Sequence, residues 1–229
     1  MPRISLTPLK HLTGLLALLM LTACGDDPAH IASRPQTVAA QSADCSSVPR
    51  LPENQAAVTA WKAAPSDALI THPISGLSVR QSFAPHWAGR TLRLRVTNRY
   101  STLPVVIDRV HIARERSPGN PDIVAGTSCL LRFNGQSRIT LNAGETRASD
   151  WMIYPIAPFE RVTISFFAPE PTPQVTRHLS ANEWVYLSTP GDHTADSDGA
   201  AYLQTPDGYA SNFLVIEALE VLSRRSTKT

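Results

Sequence analysis

The chain lacks most of the features that announce chemistry. Only three of its 229 residues are cysteine, at positions 24, 45 and 129, with no C-x-x-C pair and no Cys/His spacing suited to zinc, so no metal is expected. A G-x-S-x-G elbow, a Gly-rich phosphate loop and H-E-x-x-H are missing too, which gives no reason to expect a cofactor. Neither sign of charge dominates: 21 Lys and Arg stand against 19 Asp and Glu, a net +2 with no basic stripe, which argues against nucleic acid as a partner. After residue 24 no apolar run approaches membrane-spanning length. Eleven glycines and 19 prolines mean frequent turns and few uninterrupted helices, a balance that favours β structure.

The one long apolar stretch is N-terminal. Residues 12–21, broken only by Thr13 and Gly14, follow Arg3 and Lys10 and are too short to remain across a bilayer, as in a targeting segment. The run ends in Leu21-Thr22-Ala23-Cys24, which matches the lipobox of bacterial lipoproteins. Residues 1–23 are therefore read as a cleaved signal peptide and Cys24 as the lipidated N-terminus of a mature protein held on the membrane of the cell envelope. The other reading is an ordinary secretory signal, whose cleavage site Leu21 fits poorly. Gly25 stands where many lipoproteins retained in the inner membrane have aspartate, so the outer membrane is the favoured address.

Residues 24–59, rich in Ala, Ser, Gln, Pro and Asp without a period, read as a flexible lipidated tether. Residues 60–222 read as one domain and 223–229 as a polar tail. Export permits a disulfide between Cys45 and Cys129; two free thiols are the alternative. Leu92, Leu94 and Val96 alternate with Arg93, Arg95 and Thr97, as Val162, Ile164 and Phe166 do with Arg161, Thr163 and Ser165, so one face of each strand is core and the other polar. Further strands are expected over 77–83, 105–113, 130–133, 138–141, 184–187 and 213–221, with a bulge between Ile107 and Val110 where the apolar phase slips. Asn134-Gly135, Asn142-Ala143-Gly144, Ser117-Pro118-Gly119-Asn120 and Asp207-Gly208 supply turns. Short strands without helical patterns between them predict an all-β fold, an antiparallel β-sandwich of jelly-roll type.

Asp108 and His111 have the Asp-x-x-His spacing in which a carboxylate can orient a catalytic histidine, yet residues three apart on a regular strand face opposite ways. Trp184 and Tyr186 share one face of their strand and could form a sugar platform, with Asp192 and His193 supplying directional hydrogen bonds. Equally, Trp184 and Tyr186 could be core, and Gly191-Asp192-His193-Thr194 a turn held by its own side chains. Arg93 and Arg95 read as a solvated strand face rather than an anion site.

The order of segments resembles the N-terminal non-catalytic region of secreted SGNH (GDSL-type) hydrolases. The likeness rests on Leu77-Ser78-Val79-Arg80-Gln81, Gly89-Arg90-Thr91-Leu92, Val110-His111-Ile112-Ala113, Phe133-Asn134-Gly135, Ile139-Thr140-Leu141, Val162-Thr163-Ile164-Ser165-Phe166-Phe167 and Gly191-Asp192-His193-Thr194, in that order. In those enzymes a Gly-Asp-Ser nucleophile turn, oxyanion donors and a late Asp-x-x-His follow the β region, and no segment of this chain matches them. The resemblance therefore implies a non-enzymatic accessory domain that binds envelope polysaccharide or a separately encoded hydrolase. A truncated or split esterase is the alternative.

Overall fold

The computed structural model describes residues 45–48, 54–179, 181, 183–204 and 212–224. Residues 1–23, Cys24, the Asp207-Gly208 turn and 225–229 lie outside the described residues. Among those described there are fifteen strands, one 3-10 turn at Gly199–Ala201 and no α-helix. In chain order they are β1 Gln55–Lys62, β2 Asp67–Ile74, β3 Leu77–Phe83, β4 Gly89–Thr97, β5 Val105–Arg114, β6 Cys129–Leu130, β7 Ile139–Leu141, β8 Thr146–Ala148, β9 Met152–Ile156 and β10 Val162–Ala168. They continue as β11 Thr172–His178, β12 Val185–Pro190, β13 Tyr202–Gln204, β14 Phe213–Leu214 and β15 Ile216–Arg224.

All their pairings are antiparallel. Five strands form one sheet, β1-β15-β4 with β8 and β9 both on β4; seven form a second, β13-β12-β3-β10-β5 with β6 and β7 on β5; β14-β11-β2 is a third. The expected all-β sandwich is what the chain forms. Period-two alternation explains why: Leu92, Leu94 and Val96 of the first sheet and Val79, Ile164 and Phe166 of the second turn into one core cluster. Asn134 and Gly135 both take positive φ, 51° and 78°, the conformation a two-residue type I′ hairpin needs. In β5 the bulge falls where the phase slipped, with Arg109 at φ 44° and the register against β10 shifting between Asp108 and His111.

The tether boundary needs correction. β1 starts at Gln55, inside the stretch read as spacer, and pairs with β15 along its length. Farther back, Ser47 bridges Met152, and the Val48 N–H donates to the Trp151 carbonyl at 2.8 Å. Composition misled because an edge strand needs only ladder hydrogen bonds and one covered face, which Ala60 supplies. Cys45 and Cys129 are disulfide-bonded, so they do not stand as free thiols.

The expected strand over 213–221 is in fact two. Val215, at φ 66°, breaks it and hands the chain from the three-stranded to the five-stranded sheet. A β-branched residue there is strained. It is held by burial, by its N–H donating to the Thr176 carbonyl at 2.9 Å, and by the Thr97 N–H donating to its carbonyl at 2.7 Å. Beside it, buried Gln81 accepts from the Leu214 N–H at 2.6 Å and donates to the Leu214 carbonyl at 2.9 Å, clamping β3 to β14 through the core.

Candidate functional site

The non-core face of the seven-stranded sheet presents Ser78, Arg80 and Ser82 from β3, Thr163 and Ser165 from β10, and Tyr186 from β12. All six are buried, because the segments 115–128 and 191–199 fold over this face. Arg80 ties them down. Its guanidinium donates to Ser165 Oγ at 2.9 Å and to the carbonyls of Pro121 at 2.7 Å, His193 at 3.2 Å, Thr194 at 3.4 Å and Asp196 at 2.8 Å, while lying 4.0 Å over the Tyr202 ring. Burial lowers the Arg80 pKa, against the attraction of Tyr202 and Asp196, and pushes the Tyr202 hydroxyl up to about 12.

The four residues grouped from sequence do not form one rim. β12 separates Trp184 from Asp192 and His193, a span of about 20 Å at the usual strand rise. Asp192 accepts from the Thr194 N–H at 3.1 Å and hydroxyl at 2.6 Å and pairs with Arg109 Nε at 2.9 Å. His193 Nδ1 lies 2.9 Å from Asp196, and its N–H donates to Ser78 Oγ at 2.9 Å. These two side chains hold the 191–196 loop, as a turn would require. Val185 is in the core and Tyr186 is 4% exposed on the opposite face, so β12 is covered on both sides. Trp184 is 43% exposed.

Nor does Asp108 orient His111. The bulge turns its carboxylate to the Arg109 N–H at 2.8 Å, while His111 Nδ1 lies 2.9 Å from Ser128 Oγ. Burial lowers the His111 pKa below its ordinary 6.5, outweighing the attraction of Asp192. In the unfolded chain this imidazole takes up a proton first, so its contribution to stability is present above about pH 6.5 and is lost as pH falls. Denaturant midpoints measured from pH 7.5 to 5 should fall with pH in the parent and fall less in His111→Gln; equal slopes would remove His111 as the cause.

What gathers around Trp184 was not foreseen. Arg161, just before β10, donates Nη1 and Nη2 to the two Glu183 oxygens at 2.8 and 2.6 Å and Nε to Glu115. These hydrogen bonds, Glu183 first, raise the Arg161 pKa. The Glu115 side chain is nearly buried, and that burial raises its pKa despite Arg161. Two carboxylates thus share one guanidinium. Among the described residues the Tyr186 hydroxyl has no hydrogen-bond partner, and it is pushed up to about 12, chiefly by burial. Trp184 rests on the Ser117–Pro118–Gly119–Asn120 turn, its Cδ1 3.8 Å from where a β-carbon on Gly119 would lie. Glu115, Arg161 and Glu183 come from three separate strand ends, so only the alternation that exposes Arg161 hinted at them.

Arg93 and Arg95 are not a bare solvated face. They and Arg99 share Glu217 and Glu220, which a register shift in β15 places opposite them. Among the described residues no group of three His, Cys, Asp or Glu could hold a metal ion, and no helix is long and apolar enough to cross a membrane. No protein-family model matches the chain, and no curated protein matches it.

Proposed function

We propose that this chain is a lipid-anchored envelope protein whose β-sandwich is a non-catalytic module for envelope polysaccharide. One observation carries the reading: Trp184, the residue before β12 and next in the chain to Glu183 of the Glu115–Arg161–Glu183 cluster, leaves its indole part-open. A flat apolar ring flanked by carboxylate acceptors and guanidinium donors suits a pyranose, which has an apolar face and a rim of hydroxyls. Asp192 and His193, absorbed in their loop, leave the binding role to Trp184 and its neighbours. The membrane is the second partner, through Cys24, and the outer membrane is the favoured location.

Trp184→Ala should weaken pull-down by purified polysaccharide about fivefold, the effect of roughly 1 kcal/mol of stacking, with little change in melting temperature because the ring is part-exposed. Unfolding of that variant would place Trp184 in the core and sink the reading. Saturable turnover of p-nitrophenyl acetate by the purified protein would favour the esterase alternative instead.

A further inference from the structure

At the same end of the sandwich two more aromatic side chains stand open, Trp87 at 60% and Phe159 at 66% exposure. Trp87 lies between β3 and β4, Phe159 between β9 and β10. The two loops are joined: the Phe159 N–H donates to the Pro85 carbonyl at 2.6 Å, and the Phe159 ring meets His86 edge-on at 5.6 Å between centroids.

The Phe159 backbone is the unusual part. Ala157-Pro158-Phe159-Glu160 is a turn closed by the Glu160 N–H on the Ala157 carbonyl at 3.3 Å, with proline second and φ 61° third. That third position calls for glycine or asparagine. The chain follows the rule in Ser117-Pro118-Gly119-Asn120, where Gly119 has φ 74°. Here it places a bulky aromatic, strains the backbone, and leaves the ring largely in water. Unlike Val215, whose strain is held by burial, Phe159 leaves its ring in water, and strained residues cluster at functional sites.

The turn is fixed to the Trp184 site. Glu160 accepts from the Ala157 N–H at 2.8 Å and from Arg114, and the residues that follow these two, Arg161 and Glu115, form the next pair. The Glu115 N–H donates to the Arg161 carbonyl at 3.2 Å, completing the ladder. Phe159 is therefore two residues from the guanidinium that holds Glu183, itself next to Trp184.

We infer that Trp87 and Phe159 are further stacking positions for the same ligand, so that the site takes an extended glycan chain, with several pyranose faces, rather than a single sugar. This rests on the glycan reading of Trp184. Several weak stacking contacts along one rigid polymer add up to an affinity none has alone. Glu160 and Glu183, whose side chains are each 27% exposed, can accept hydroxyl hydrogens from a polysaccharide and repel an anionic bilayer surface.

The test uses the mature chain with C24S, which keeps every described residue. Its probes are purified peptidoglycan sacculi, a disaccharide fragment released from them, and vesicles of phosphatidylethanolamine and phosphatidylglycerol. Phe159→Gly should bind sacculi about tenfold more weakly, bind the disaccharide as the parent does, and melt about 2 °C higher because the strain is relieved. Trp87→Ala should show the same split between polymer and fragment. Trp184→Ala should weaken binding of both, about fivefold. If both tip variants bind sacculi as the parent does while Trp184→Ala does not, the tip proposal fails and the glycan reading stands. If the parent binds neither probe sugar, both fail. Vesicle binding that disappears in Phe159→Gly would assign the tip to a membrane and overturn the proposal.

Discussion

Replacing Arg80 with methionine should cost about 3 to 5 kcal/mol of unfolding free energy, the range found when one partner of a buried charged network is removed. Methionine keeps much of the stem and removes every donor. Ser165 Oγ and the carbonyls of Pro121, His193, Thr194 and Asp196 would lose their shared donor. Each buried acceptor left unpaired costs about 1 to 3 kcal/mol, and relaxation of the loops recovers part of that. The damage should be local first: amide exchange in 191–199 should speed up before the sheets open. Arg80→Lys should recover only a minor part, because an ammonium is a point charge and cannot span acceptors on three segments. Urea unfolding of the three proteins decides it, and an Arg80→Met midpoint matching the parent would show that the loops hold without the guanidinium. The same contacts place the network outside ligand binding, so Arg80→Met should affect glycan pull-down only as far as it unfolds the protein.

Removing the Cys45–Cys129 bond should have a comparable effect by a different route. The bond closes a loop across 84 positions, worth about 4.5 kcal/mol in the chain-entropy treatment. For a domain of this size that is a fall in melting temperature on the order of 10 to 15 °C. The bond also keeps Ser46 and Val48 in reach of β9, where the Ile153 N–H donates to the Ser46 carbonyl at 2.9 Å. A Cys45→Ala/Cys129→Ala variant and the parent under reductant should melt together, well below the oxidised parent. If reductant leaves the parent's melting curve in place, the bond does not carry that stability.

Much of the sandwich was legible because β-strand alternation is local. Leu92, Leu94 and Val96, like Val162, Ile164 and Phe166, declare their inner face within five residues, and the strand expected over 77–83 has those bounds in the structure. Asn134-Gly135 declares its hairpin in two residues, since few side chains tolerate φ above zero at both positions. The slip between Ile107 and Val110 announced the bulge for the same reason. Strands whose partners cover them differently were hidden. β1 is an edge strand with a polar outer face and reads as spacer, and β2, β8, β9 and β11 lack a clean period of apolar residues. The break at Val215 ran against propensity, because two tertiary hydrogen bonds and burial outweigh the preference of a β-branched residue for negative φ.

The candidate site divides the same way. Residue type alone marked Trp184 as a possible platform, and Cys45 and Cys129 as the pair available to bond. Sequence could not say that Asp192 and His193 sit at the far end of β12, or that Tyr186 is buried, because proximity along a strand is not proximity on a surface. Glu115 and Arg161 are 46 positions apart and Arg161 and Glu183 are 22 apart. Only the antiparallel register that sets Val162 opposite Arg114 brings the first pair together. The sequence by itself determined which short stretches alternate, where the chain turns and which residue types were available for binding. The tertiary structure decided which strand ends meet, and with them the Arg80 hub and the aromatic end, because those contacts depend on long-range register that no local pattern encodes.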